Sequence, residues 1–167
     1  MSIYLSVKNK ELGMEGIVTD ELVKAKGATE ISSFQFGVGL GVSISKGGVQ
    51  KSTASLSEVV CTKTFDNMSP ALFINTCLGH TLDTVTIDFV GAVGDASKGA
   101  AIYLTYELTN AIITGHSITS SGDLPSESFS FAFEEITMTF QKPPVTKKNS
   151  AGQPIVQKWS VIGNNKV

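Results

Sequence analysis

Cys77 and His80 stand three residues apart in the stretch SPALFINTCLGH (residues 69–80), and together they are half of the chain's cysteines and histidines. A thiol and an imidazole so close in sequence suggest two chemistries. One is attack by a thiolate with a histidine as base; the other is tetrahedral zinc binding by Cys61, Cys77, His80 and His116. The sequence favours neither, because it contains no Cys-x-x-Cys pair and no His-x(3–5)-His pair. Leu72, Phe73, Thr76 and Cys77 fall at helical spacing on one face, so Cys77 is expected to face the core, where apolar surroundings raise a thiol pKa. Gly115-His116-Ser117-Ile118-Thr119 follows the nucleophile-elbow pattern only until its last position, where Thr replaces Gly. Gly47-Gly48-Val49-Gln50-Lys51-Ser52 has the Lys-Ser of a phosphate loop without a glycine directly before the lysine, and Gly37-x-Gly39-x-Gly41 misses the dinucleotide spacing. Glu134 and Glu135 are neighbours on a strand, so they point to opposite faces and serve to solvate or blunt an edge. The reading is of a non-enzyme: catalytic residues none, metal ligands none, cofactors none.

The elements that position these residues are mostly strands. The Cys-His segment itself reads as one short helix. Ser69 is the expected N-cap, Pro70 the first helical residue and Gly79 the left-handed residue that ends it, with His80 just beyond, where an imidazolium suits the helix dipole. Val85, Ile87 and Phe89 alternate with Thr84, Thr86 and Asp88, the pattern of a strand with one buried face. In SESFSFAFEEITMTF (126–140), Phe129, Phe131 and Phe133 hold one phase and Ile136, Met138 and Phe140 the next. That slip at Glu134-Glu135 predicts one long strand bent by a β-bulge. Residues 101–113 (AIYLTYELTNAII) form another strand, expected to pair with the one after the turn Ser120-Ser121-Gly122-Asp123-Leu124-Pro125. A third strand is expected over 29–40. Residues 41–55, Gly/Ser/Lys-rich, are expected to form an extended arm or mobile loop too long for a tight hairpin. Residues 142–154 read as a loop before a terminal strand at 155–162, in which Trp159 is a packing anchor. The fold class is therefore mainly β, a two-sheet β-barrel or sandwich with one short α-helix on its side, and 1–167 is read as one domain.

Composition narrows the partners. A chain of 167 residues buries roughly 70% of its unfolded surface, enough for a core without staples. Charged residues make up 17%, against about 25% in an ordinary soluble domain, while Ser and Thr number 35. Such a surface suits burial against protein partners. All 13 basic residues are Lys and the net charge is −2, which argues against nucleic acid and against an anionic membrane surface. Residues 3–7 are too short for a signal-peptide core and lack a basic run before them, so the N-terminus reads as mature. No apolar run approaches the roughly 20 residues of a membrane-spanning helix, and two cysteines make no disulfide framework.

One order of motifs runs through the chain: Phe65-Asp66-Asn67-Met68-Ser69-Pro70 and its helix, Val85-Thr86-Ile87-Asp88-Phe89, Ile112-Ile113-Thr114-Gly115-His116-Ser117-Ile118, the Ser-Gly-Asp-x-Pro-x-Glu-Ser run at 121–128 with its Phe-alternating strand, and Lys158-Trp159-Ser160. That order resembles the Hcp family, the haemolysin-coregulated tube proteins of type VI secretion. The resemblance covers nearly the whole chain and is strongest from about residue 56 onward. Gly13-Met14-Glu15-Gly16 and residues 29–36 look like the family's opening, while the arm after Gly41 is this chain's own.

The resemblance implies a homo-oligomer: hexameric rings of a two-sheet barrel, stacked into a tube similar to a phage tail tube. It also implies a contractile sheath and a spike protein as partners, small effector proteins in the lumen, and passage from the bacterial cytoplasm to the outside without a cleaved signal peptide. On this reading the arm residues Ser45, Lys46, Gly47, Gly48, Val49, Gln50 and Lys51 make ring contacts. Two other readings keep the β fold: a monomeric β-sandwich binding module, and a divergent paralogue that caps or initiates the tube. An effector enzyme fused to a tube subunit is disfavoured, since only eight residues follow Trp159.

Overall fold

Alternation of period two sets the backbone of most of this chain. The computed structural model describes residues 1–8, 12–18, 20–92, 100–141 and 153–167. Among these the strands are β1 (Ser2–Val7), β2 (Thr29–Ile31), β3 (Ser33–Gln35), β4 (Val38–Ser45), β5 (Gly48–Leu56), β6 (Val59–Thr64), β7 (Thr81–Ala92), β8 (Ala100–Thr119), β9 (Ser126–Ala132), β10 (Glu135–Phe140), β11 (Ile155–Ser160) and β12 (Asn165–Lys166). A single α-helix, α1 (Ser69–Leu78), stands among the described residues.

Ten strands share one antiparallel sheet, in which β12-β11-β10-β8-β7-β1-β2 are neighbours in that order and β9 joins β8 to β6, which pairs in turn with β3. β8 is the hub. One of its edges carries β7; the other carries β10 along Leu104–Thr109 and β9 along 112–119. The sheet does not close on itself, because β2 ends one run and β3 the other, so the architecture is sandwich-like. Its interior holds Leu5, Val59, Cys61, Leu72, Val85, Ile87, Leu108, Phe129 and Phe131, with Trp159 packed against the margin from β11. Each such side chain contributes roughly 1.5–3 kcal/mol by leaving water. Cys61 is a small apolar filler there, its thiol pushed up to about 12 by burial.

The pairing of β8 with β9 agrees with the sequence expectation, and three other expectations need correcting. Residues 29–40 are not one strand: β2 pairs with β1, β3 with β6, and Ser32 between them donates its N–H to Thr62 O at 2.7 Å as the chain crosses from one run to the other. The 126–140 stretch is two strands, and no residue is inserted between them. Ala132 pairs with Ile112 and Glu135 with Thr109, so three steps on one strand match three on the other. Both chains change face together at this point. On β8 the buried residues pass from Leu108 to Ala111 across Asn110, which sits at φ 49°, and Asn110 Nδ2 donates to Glu134 Oε2 at 2.6 Å. Asparagine tolerates that left-handed backbone, and a paired switch looks like a bulge when only one strand is read. The terminal strand ends at Ser160, two residues before the expected limit. Residues 142–152 of the expected loop lie outside the described residues.

Candidate assembly surface and buried ionic cluster

The segment read as an arm is a hairpin whose register slips by one residue between the pairs Leu40–Ala54 and Val42–Lys51. β4 and β5 form a two-stranded sheet of their own, closed by Lys46-Gly47 between the paired residues Ser45 and Gly48. Gly48 lies at φ 114°, a backbone that only glycine adopts readily. The expectation of a loop too long for a tight turn is thus wrong: eight- and nine-residue strands absorb the length, and only two residues turn. The candidate residues Ser45, Lys46, Gly47, Gly48, Val49, Gln50 and Lys51 are its tip. At the base, Ser57 N–H donates to Gly37 O and Gly37 N–H to Ser57 Oγ, tying the hairpin to the body.

Its two faces differ. Val38, Leu40, Val42 and Ile44 share one face, with Leu56, Ala54, Lys51 and Val49 opposite them in turn on the partner strand. The other face is Gly39, Gly41, Ser43 and Ser45 against Ser55 and Gln50. All of β4 is exposed, Ile44 to 80%. An isolated hairpin is marginal in water, and an exposed aliphatic row whose two edges find no strand among the described residues calls for a covering surface. At about 3.4 Å per residue it projects some 25 Å.

The interior has the opposite chemistry. Lys63 on β6 and Glu127 on β9 are both buried, Lys63 Nζ lying 2.7 Å from Glu127 Oε1. Strand pairing puts them directly opposite each other. Lys63 also reaches Asp66 Oδ1 at 2.5 Å and Ser69 Oγ at 3.0 Å; Ser69 donates to Glu127 at 2.7 Å. His116 Nε2 lies 2.8 Å from Glu127 Oε2. An ionised carboxylate only accepts, so the imidazole donates. Thr29 donates to the other oxygen of Asp66. Burial alone would raise the carboxyls of Glu127 and Asp66, but the hydrogen bonds from Lys63, from Ser69 and His116 for Glu127 and from Thr29 for Asp66, hold both below the ordinary range.

This cluster changes the reading of the helix start. Ser69 Oγ does not cap first-turn amides; it accepts from Asp66 N–H at 2.9 Å, outside the helix, and serves the ion pair. Asp66 Oδ1 takes Met68 N–H at 2.8 Å instead. Pro70 occupies the first turn, and Gly79 ends the helix at φ 64° with its N–H on Asn75 O. The buried side of α1 is Ser69, Leu72 and Asn75. Phe73 and Cys77, expected inside, are exposed. Asn75 is inside because its amide has partners, donating to Leu12 O and Ala71 O. An apolar tally cannot find a satisfied buried amide. His80 Nδ1 bonds Asn75 Oδ1 at 2.8 Å. Cys61, Cys77, His80 and His116 are therefore not gathered, and no cluster of three metal-binding residues occurs among the described residues.

The family described as "Type VI secretion system effector, Hcp" matches residues 4–140, most of the chain and all of the regions just described. The chain belongs to the Hcp family. Its membership implies secretion through the type VI system. No curated protein matches it by sequence. Its fold is similar to that of a type six secretion system protein (24% identity, TM-score 0.82, covering 99% of each chain). It is similar also to Hcp1 from Salmonella typhimurium (18%, TM-score 0.73, covering 99% of this chain and 98% of that one). A type VI secretion system effector from Yersinia pestis shares it as well (22%, TM-score 0.67, covering 95% and 99%). Within this Hcp-family fold the ionic cluster ties the start of α1 to β6 and β9, and the hairpin carries an exposed apolar row.

Proposed function

We propose that this Hcp-family chain is a structural, non-catalytic subunit of the type VI inner tube, one domain over 1–167 that forms hexameric rings. The rings stack, carry small effectors in their lumen, are driven by a contractile sheath and bear a spike protein. The chain starts in the bacterial cytoplasm and leaves through the machine. The observation that supports this reading is the β4–β5 hairpin, whose aliphatic face Val38, Leu40, Val42 and Ile44 is exposed in the single chain. A neighbouring copy covers it and removes the cost of an open edge.

Light scattering during size-exclusion chromatography at two concentrations, with negative-stain imaging of the main peak, tests this. Six-subunit rings with a central hole are expected. A monomer at high concentration overturns the tube role in favour of a binding module, and rings that never stack point to a capping or initiating paralogue. Deleting residues 45–53 is expected to weaken stacking; tubes of normal stability after that deletion remove the arm from the contact.

A further inference from the structure

The outward side of α1 is a second uncovered apolar surface. The ten-residue helix SPALFINTCL has no charged residue, and Phe73 (56% exposed), Ile74, Cys77 and Leu78 all face away from the body. At 100° per residue these four occupy one continuous arc, opposite the buried Leu72 and Asn75. Elsewhere on the same chain lies an apolar groove of about 570 Å³, between the base of the hairpin and β10–β11. Phe36, Leu56, Tyr106, Met138 and Trp159 line it, and Lys158 and Lys166 also border it.

Resting on the ring reading above, we propose that the exposed face of α1 in one copy seats in this groove of the next. The two surfaces match in shape, one convex and one concave, and in apolar character. They also match in charge: α1 has no basic residue in its last turn, and Lys166 on the groove border offers a cation to that carbonyl end, while Lys158 beside it is already paired with Glu135 at 2.7 Å. Helix and groove share no residue, so each copy keeps one free donor and one free acceptor. That is a head-to-tail contact, the kind that builds rings when the rotation closes.

Cys77 reports on the contact. Cys61 is buried, so in a Met138→Cys variant the accessible thiols are Cys77 on the helix and the new one in the groove. Mild oxidation of the assembled variant is expected to give a ladder of covalent oligomers up to six on a non-reducing gel. Cys77→Ser with Met138→Cys gives no ladder. As a second measurement, Phe73→Glu and Met138→Lys are each expected to raise the concentration needed for assembly at least tenfold with the thermal melt unchanged. Combining them restores assembly in part. An unmodified chain that stays monomeric overturns the ring reading together with this contact. Rings that form normally in both single variants and give no ladder overturn this contact alone, leaving the groove to a small apolar ligand or another protein.

Discussion

The Lys63–Glu127 cluster and the β4–β5 hairpin invert the usual placement of charge and hydrocarbon in opposite directions. In the first, an ammonium and a carboxylate sit fully buried, each satisfied by partners within the chain. In the second, the row of aliphatic side chains along β4 is exposed among the described residues. A buried charge that is fully partnered is a finished structure. An exposed apolar row is an unfinished one, and it is the part that points outside the molecule.

The sharpest way to break this contrast is to unpair the cluster. Lys63→Met takes the ammonium away from buried Glu127 and is expected to cost about 3–5 kcal/mol in urea unfolding. Lys63→Met with Glu127→Leu removes both charges and should recover most of that loss. Equal costs for the single and double variants would mean that packing, not charge pairing, matters there. Acid acts on the same groups. Folding lowers the pKa of Glu127 and Asp66, so the stability they give is complete above their unfolded values, roughly 4, and disappears as pH falls through the lower folded values. The urea midpoint should hold from pH 7 to about 5 and then fall, less steeply in Glu127→Gln. Gly79→Ala places a Cβ at φ 64° and is expected to cost about 1 kcal/mol, read as a lowered Tm. Smallest of all in stability is Ile44→Lys, within about 0.5 kcal/mol, although its effect on assembly should be the largest in the set.

Much of this fold is legible in the sequence where one rule governs one residue. The first half of β7 follows from alternation at Val85 and Ile87, although Asp88, expected outward, is buried against Lys26 and Thr105; the end of α1 follows from Gly79, and the β8–β9 pairing from the turn at 120–125. Pairwise satisfaction is harder to read. Nothing in the letters Lys63, Glu127, Ser69 and His116 says that they meet, because they come from three strands and a helix start brought together by register. The same holds for Asn75, whose burial depends on a carbonyl 63 residues away. The hairpin did leave a signal: Val38, Leu40, Val42 and Ile44 alternate with Gly and Ser over the full length of β4. Its glycines and serines resemble a loop, and that composition hides the period.

The most direct test of the account compares the unmodified chain with Ile44→Lys by sedimentation velocity over a hundredfold range of concentration, with urea unfolding measured on both. The account predicts ring-sized and larger species for the unmodified chain, their loss or a marked shift to smaller species for the variant, and the same unfolding midpoint for the two. Identical distributions of assembled species, with Ile44→Lys as stable as the parent, would contradict it.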